Sequence, residues 1–84
     1  MAIKIYIDQG HNPSGWNTGA EGNGFYEQDL TYRIGILLYD LLRANGKFEV
    51  RLSRPTPDTI LGRNNSTSLS ERVREANAFG ADVF

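Results

Sequence analysis

The sequence predicts an α/β fold, the front half of a three-layer α/β/α domain with a mostly parallel central sheet. Apolar and polar residues alternate from Ile3 to Ile7 and again from Phe48 to Leu52, a period of two that is typical of strands. Between and after these runs, apolar residues recur at helical spacing, so the elements follow the order β-α-β-α-β. Each helix is long enough for a crossover connection, which makes neighbouring strands parallel.

Composition excludes several classes of function. The chain has 84 residues, at most one small domain, and no cysteine, so neither a disulfide nor a thiolate zinc site is available. Its formal net charge is -1 without a basic block, which argues against binding to nucleic acid or an anionic membrane. The apolar runs are too short to span a bilayer. No signal-peptide pattern precedes the first strand, so we expect cytoplasmic synthesis with release by another route, or prior removal of a signal.

A long loop is predicted between the first strand and the first helix. Residues Asp8 to Tyr26 contain many Gly, Asn and Pro residues, a composition that disfavours regular structure. Such a loop is usually functional or disordered, and Trp16 and Phe25 argue against disorder because both side chains favour burial. We therefore expect an ordered, functional loop.

The first helix is predicted to begin at Glu27 and to stop at Asn45-Gly46, where Gly46 suits a left-handed C-terminal residue. Gly35 lies inside this helix and is expected to allow close packing on the sheet. One apolar stripe runs along the helix and is expected to bury against the sheet: Leu30, Ile34, Leu37, Leu38, Leu41 and Leu42.

After the second strand, the sequence predicts a polar loop from Ile60 to Ser68 and a short second helix. Ser68-Leu69-Ser70-Glu71 has the spacing of a capping box at the helix start, and Gly80 is expected to end the helix. The apolar positions of this helix are Leu69, Val73, Ala76 and Phe79. Residues 81–84 resemble the start of a third strand, so the sheet is expected to have an uncovered edge.

Two residues at the predicted carboxyl edge of the sheet are candidate metal ligands. His11, the only histidine, lies just past the first strand, where open α/β sheets place their sites, although a lone loop histidine is more often a surface residue. Glu27 falls on the apolar stripe, where a buried carboxylate needs a metal ion or a buried arginine as partner. Otherwise Glu27 is a first-turn carboxylate that the helix dipole stabilises.

Other polar features carry weaker functional interpretations. The glycine-rich loop lacks the Lys-Ser/Thr ending of a phosphate-binding P-loop and the spacing of a dinucleotide site, so phosphate binding is not expected. The tyrosines are expected to pack and the arginines to be solvated charges: Tyr6, Tyr26, Tyr32 and Tyr39; Arg54, Arg63, Arg72 and Arg74.

A set of short motifs occurs in order along the chain. The opening motifs are Ile7-Asp8-Gln9-Gly10-His11, Gly19-Ala20-Glu21-Gly22 and Glu27-Gln28-Asp29-Leu30. Leu52-Ser53-Arg54 with Asp58 follows, and then Leu69-Ser70-Glu71-Arg72, Ala76-Asn77 and Ala81-Asp82-Val83-Phe84. This ordered set resembles the zinc-dependent N-acetylmuramoyl-L-alanine amidases of the amidase-3 type, which are cell-wall hydrolases. The resemblance covers almost the whole chain.

The resemblance implies a zinc site and a reaction. It makes His11 and Glu27 zinc ligands, with a third ligand, a histidine, and a catalytic glutamate expected downstream of Phe84. No catalytic residue is therefore expected in this chain, and substrate-binding residues are not assigned. The implied reaction is hydrolysis of the amide between N-acetylmuramic acid and L-alanine in peptidoglycan by a zinc-activated water. Gln9 and Asn12 depart from the family pattern, which bears on the shape of the loop.

Residues 1–84 are interpreted as the N-terminal part of one amidase catalytic domain, truncated before the third zinc ligand and inactive alone. The expected partners are peptidoglycan and the downstream half of the same protein, and the expected place of action is the cell wall. Two alternatives stay open. One is a metal-free cell-wall-binding or interaction module, and the other is a different α/β hydrolase that binds an anion in the glycine-rich loop.

Overall fold

The computed structural model describes residues 2–84, and their elements follow the predicted alternation of strands and helices. The strands are β1 (Ile3–Ile7), β2 (Glu21–Gly22), β3 (Phe25–Tyr26) and β4 (Phe48–Leu52). The helices are α1 (Glu27–Asn45) and α2 (Asn65–Phe79). The two predicted strands and the limits of the first helix are confirmed. Within the described part of the chain, neither helix is long and apolar enough to cross a membrane.

Strand β1 lies at the centre of a parallel arrangement. Strand β4 pairs with it in parallel along the full length of both strands. On the other edge of β1, Val83 forms a parallel bridge with Ile5, and Tyr6 N–H donates to the Val83 carbonyl at 2.9 Å. The predicted third strand is thus present as a single bridge.

The two helices cover opposite faces of the sheet. Tyr6 is 1% exposed and faces α2, where its hydroxyl donates to Glu75 Oε1 at 2.8 Å. Gln9, just past the end of β1, points to the opposite face and packs on Gly35 of α1, because a Cβ at Gly35 would overlap Gln9 Cγ. Side chains alternate between the faces of a strand, so these contacts build the predicted α/β/α layering and confirm the packing role of Gly35.

The apolar stripe of α1 is exposed, and the prediction that it packs on the sheet is wrong. Exposure ranges from 40% to 72% for Leu30, Ile34, Leu37, Leu38 and Leu41, and the sixth member of the stripe, Leu42, is half-buried. The residues of α1 that are buried are Gln28 and Gly35. A sheet with few strands covers only a narrow side of a helix, and Gly35 brings that side closest to the sheet. Leu69 and Val73 of α2 are exposed in the same way.

Helix α2 begins earlier than predicted. Asn64 is its N-cap: the Asn64 side chain accepts from Thr67 N–H at 2.9 Å, and Thr67 Oγ1 accepts from Asn64 N–H at 3.0 Å. The predicted capping box at Ser68 is wrong because Ser68 already lies inside the helix, where it is fully buried. Gly80 ends the helix in the left-handed conformation, as predicted.

The loop between β1 and α1 contains a short hairpin that the composition did not predict. Strands β2 and β3 pair antiparallel around Asn23 and Gly24, both with positive φ, because Asn-Gly is a favoured two-residue hairpin turn. Elsewhere the loop is irregular but ordered, and Trp16 Nε1 donates to the Leu61 carbonyl at 3.1 Å. The expected burial of Phe25 is wrong, since this side chain is 57% exposed at the hairpin.

Candidate metal site

The loop that leaves the carboxyl end of β1 and the first turn of α1 meet at one edge of the sheet. His11 lies in this loop, and Glu27 is the first residue of α1. His11 Nε2 lies 2.6 Å from Glu27 Oε2. The structure therefore brings together the two residues predicted as metal ligands, at the edge where open parallel sheets place their sites.

The backbone of His11 has an unusual conformation, and one nitrogen of its imidazole ring has no hydrogen bond to any described residue. Its φ is 69°, in the left-handed region that residues other than glycine rarely adopt. Its side chain is 31% exposed, and Nδ1 is buried without a hydrogen-bond partner among residues 2–84. Metal-bound histidines usually donate their second ring N–H to an acceptor that orients the ring. Among the described residues, the backbone of His11 must supply that orientation instead.

Glu27 is exposed, and the prediction that it lies on a buried stripe is wrong. Its side chain keeps 49% exposure, because the apolar stripe of α1 itself faces solvent. The loop holds Glu27 through Ala20: Glu27 N–H donates to the Ala20 carbonyl at 2.9 Å, and Ala20 N–H donates to Glu27 Oε1 at 3.3 Å. The hydrogen bond with His11, followed by the one from Ala20, lowers the pKa of Glu27 below its ordinary value. This favours the carboxylate form, which binds cations.

Gly19 allows the loop to approach this pair closely. A Cβ at this position would overlap Glu27 Cβ and would lie 3.1 Å from His11 Cδ2. The Gly19 N–H donates to Gln28 Oε1 at 3.1 Å, which fixes the loop against the first turn of α1. The contact between His11 and Glu27 therefore requires a residue without a side chain at position 19.

The donor chemistry of the pair fits zinc. A neutral imidazole nitrogen and a carboxylate oxygen are both common zinc ligands, and here their donor atoms are adjacent. No cluster of three or more His, Cys, Asp or Glu side chains suited to a metal occurs in residues 2–84. Catalytic zinc sites use three protein ligands and a water. The described residues thus include two side chains whose donor atoms suit such a set, on a surface that solvent reaches.

A layer of buried polar side chains lies beneath the pair. Each member is at most 2% exposed: Gln9, Asn12, Ser53, Arg54, Ser68 and Arg72. The prediction that Arg54 and Arg72 are solvated charges is wrong, because both donate to backbone carbonyls of the loop or of α1. Periodicity carried no signal for their burial. The sequence feature that pointed to a role for these arginines is that each of them ends one of the motifs that resemble those of the amidases.

Gln9 and Asn12, where the sequence departs from the family pattern, are anchored rather than loose. Gln9 N–H donates to Ser53 Oγ at 2.8 Å, and Gln9 Oε1 accepts from Arg54 N–H at 2.7 Å. Asn12 Oδ1 accepts from Leu61 N–H at 3.0 Å, and Asn12 Nδ2 donates to the Leu61 carbonyl at 3.1 Å. The loop that carries His11 is therefore fixed on both sides of the histidine.

A cleft of about 710 Å³ lies apart from this pair, along the open edge of β4. Tyr39 of α1 and Arg74 of α2 lie on its two sides, with Leu52 and Ile60 between them. Its lining includes neither His11 nor Glu27. The candidate site is therefore defined by the histidine–glutamate pair and not by the cleft.

Fold and site together define a class of protein: a parallel α/β/α segment with a histidine–glutamate pair, suited to a metal ion, at the carboxyl edge of its sheet. The family model of the amidase-3 type of N-acetylmuramoyl-L-alanine amidase matches residues 5–84. The chain belongs to this family, and the resemblance seen in its motifs is confirmed.

Several curated relatives match almost the whole length of this chain. The chain is 39% identical over 83 residues to the N-acetylmuramoyl-L-alanine amidase CwlM of Bacillus licheniformis, covering 98% of this chain and 29% of that protein. It is 37% identical over 82 residues to a sporulation-specific N-acetylmuramoyl-L-alanine amidase of Bacillus subtilis strain 168, with 98% and 29% coverage. An endolysin of Bacillus phage SPP1 is 31% identical over 84 residues, with 100% and 28% coverage. The chain thus spans less than a third of the length of these relatives.

Proposed function

We propose that this chain supplies two zinc ligands, His11 and Glu27, to an N-acetylmuramoyl-L-alanine amidase that acts on peptidoglycan at the cell wall. The reaction is hydrolysis of the amide between N-acetylmuramic acid and L-alanine. The observation that carries the proposal is the 2.6 Å approach of His11 Nε2 to Glu27 Oε2, in a chain that belongs to the amidase family.

The chemistry divides between the metal and the residues of this chain. When bound, zinc lowers the pKa of a coordinated water to about 7 and polarises a carbonyl oxygen. His11 contributes a neutral nitrogen donor and Glu27 an anionic oxygen donor. Both side chains are partly exposed, which gives a bulky glycan-linked peptide access to the metal.

The rest of the catalytic set is proposed to lie in a downstream half of the same protein, so that residues 1–84 form the N-terminal part of one catalytic domain. A catalytic zinc site usually has three protein ligands, and the described residues offer two. This chain also covers only 28–29% of the length of three relatives, two amidases and an endolysin. The downstream half would add a histidine ligand and a glutamate that moves the proton. The downstream half would dock on two surfaces of this chain, the exposed stripe of α1 and the sheet edge beside Val83.

The experiment compares purified cell walls treated with the isolated chain, with the downstream half, and with both. Cleavage of the proposed bond frees the α-amino group of L-alanine, whereas glycosidase activity would release reducing sugar. We expect alanine amino groups from the combined halves only. Release of reducing sugar, or wall binding without any new amino group, would contradict the proposal; the second result would favour a wall-binding module.

A further inference from the structure

Two guanidinium groups are buried beneath the histidine–glutamate pair. Arg54 and Arg72 are each 1% exposed, which is rare for arginine unless its donors are used. Neither contacts the ring of His11 or the carboxylate of Glu27. Their Nη groups donate to the backbone on which those two side chains stand, whereas the buried Nε of each arginine has no hydrogen-bond partner among residues 2–84.

Arg72 of α2 holds the loop that carries His11. Its Nη1 donates to Asp8 Oδ1 at 2.5 Å and to the Gln9 carbonyl at 2.8 Å. Its Nη2 donates to the carbonyl of His11 itself at 3.0 Å and to Asn12 Oδ1 at 3.2 Å. One side chain thus binds four of the five residues from Asp8 to Asn12, in a segment that has no ladder hydrogen bonds of its own to fix it.

His11 depends on this support more than an ordinary ligand does. Its left-handed backbone, with φ at 69°, persists only where the surroundings determine it. Its Nδ1 has no partner in the part of the chain that the structure describes, so no second hydrogen bond orients the ring. The position of Nε2 therefore follows from the backbone that Arg72 fixes.

Arg54, which follows β4, contacts the backbone next to both residues of the histidine–glutamate pair. Its Nη1 donates to the Gln28 carbonyl at 2.7 Å and is 3.4 Å from the Gly10 carbonyl. Gln28 is the residue after Glu27, and Gly10 is the residue before His11. The guanidinium also stacks over the ring of Tyr32, with its carbon 5.4 Å from the ring centre. Arg54 therefore spans the backbone positions next to both candidate ligands.

We propose that Arg54 and Arg72 are positioning residues that hold the side chains of His11 and Glu27 in the arrangement needed to bind one metal ion. Arg72 does so by fixing the loop that carries His11, and Arg54 by tying this loop to α1. The metal-binding part of this proposal rests on the proposed function. Lysine cannot replace either side chain, because it offers a compact ammonium where several carbonyls require the planar, multiple-donor guanidinium.

The first experiment uses the metal-free chain and nuclear magnetic resonance. His11 Cδ2 lies close to Gly19, so the His11 ring proton should show a nuclear Overhauser effect to the Gly19 Hα protons. We expect Arg54→Lys and Arg72→Lys to lose this signal while circular dichroism shows that they are folded. The controls are Arg51→Lys on β4 and Arg74→Lys on α2, both at exposed positions, and they should retain it. If both Arg54→Lys and Arg72→Lys retained this signal, the proposal would be overturned.

The second experiment titrates zinc into the same proteins and follows the His11 ring signals. We expect the dissociation constant for zinc to rise about 10- to 100-fold in Arg54→Lys and Arg72→Lys, as for other groups that orient metal ligands, and to stay unchanged in the controls. Equal affinities in all variants would overturn the positioning role. If the wild-type ring does not respond to zinc even with the downstream half present, the proposed metal site fails instead, and the metal-free experiment still decides the role of the arginines.

A third measurement covers the case in which a lysine variant does not fold. In the wild-type chain, the Nη protons of a bound Arg72 should exchange slowly with water and show contacts to the Hα proton of His11. The Nη protons of Arg54 should do the same with Gln28. Rapidly exchanging guanidinium signals without these contacts would contradict the proposal without any substitution.

Discussion

His11 Nε2 and Glu27 Oε2 lie 2.6 Å apart, although 16 positions of sequence separate the two residues. The intervening loop folds back through the hairpin of β2 and β3, and Ala20 bonds both the backbone and the side chain of Glu27. The short distance between the two side chains therefore depends on how the loop is anchored, and substitutions of the anchoring residues can test this dependence.

Gly19→Ala should separate the pair. The new Cβ would overlap Glu27 Cβ and crowd the His11 ring, so either the carboxylate or the ring must move. We expect zinc affinity to fall about tenfold or more, the size of effect seen when groups that orient metal ligands are lost. Gly22→Ala is the matched control, because a Cβ at Gly22 meets no atom within 4 Å and its φ is not in the left-handed region. Equal zinc affinity in the two variants would refute the close-approach role of Gly19.

Leu37→Ala should have almost no effect on the stability of this chain. Leu37 is 65% exposed, so the free energy of unfolding in urea should change by about 0.5 kcal/mol or less. Leu52→Ala, at a position that is 9% exposed, should cost about 2–5 kcal/mol. A loss at Leu37 as large as the loss at Leu52 would mean that another surface covers the α1 stripe in solution. With the downstream half present, we expect Leu37→Ala to become more costly.

Asn64→Ala should weaken the start of α2. The substitution removes the acceptor for Thr67 N–H and half of the reciprocal capping box, with an expected cost of about 1 kcal/mol in urea unfolding. Ser66→Ala serves as the control, since Ser66 is exposed and is in the same first turn. The assignment of the cap to Asn64 would be incorrect if the two substitutions had equal effects.

Much of the fold was predictable from the sequence because strand and helix periods are local properties. The alternation at Ile3–Ile7 and the glycine after Asn45 needed no tertiary information, and both features are confirmed. The start of α2 was not predictable in the same way, because two capping boxes compete within a few residues. Asn64 with Thr67 forms the observed box, and Ser68 is buried on the helix face that packs on Asn12.

The candidate site was predictable only in part. The proximity of His11 and Glu27 was expected from the family resemblance, whereas the reasoning from burial of Glu27 was wrong because the α1 stripe faces solvent. Periodicity shows that a helix has an apolar side but not which element covers it. The roles of Arg54 and Arg72 depend on carbonyls that only the folded loop brings together.

The most direct test of the zinc assignment is elemental analysis of the chain combined with its downstream half. We expect one zinc per domain in the wild-type assembly, and loss of most of that zinc in His11→Ala and in Glu27→Gln. Glu21→Gln is the matched control, because Glu21 is an exposed glutamate of the neighbouring hairpin, and it should retain the metal. Zinc content that is unchanged in His11→Ala would contradict the account, because His11 would then not be a ligand.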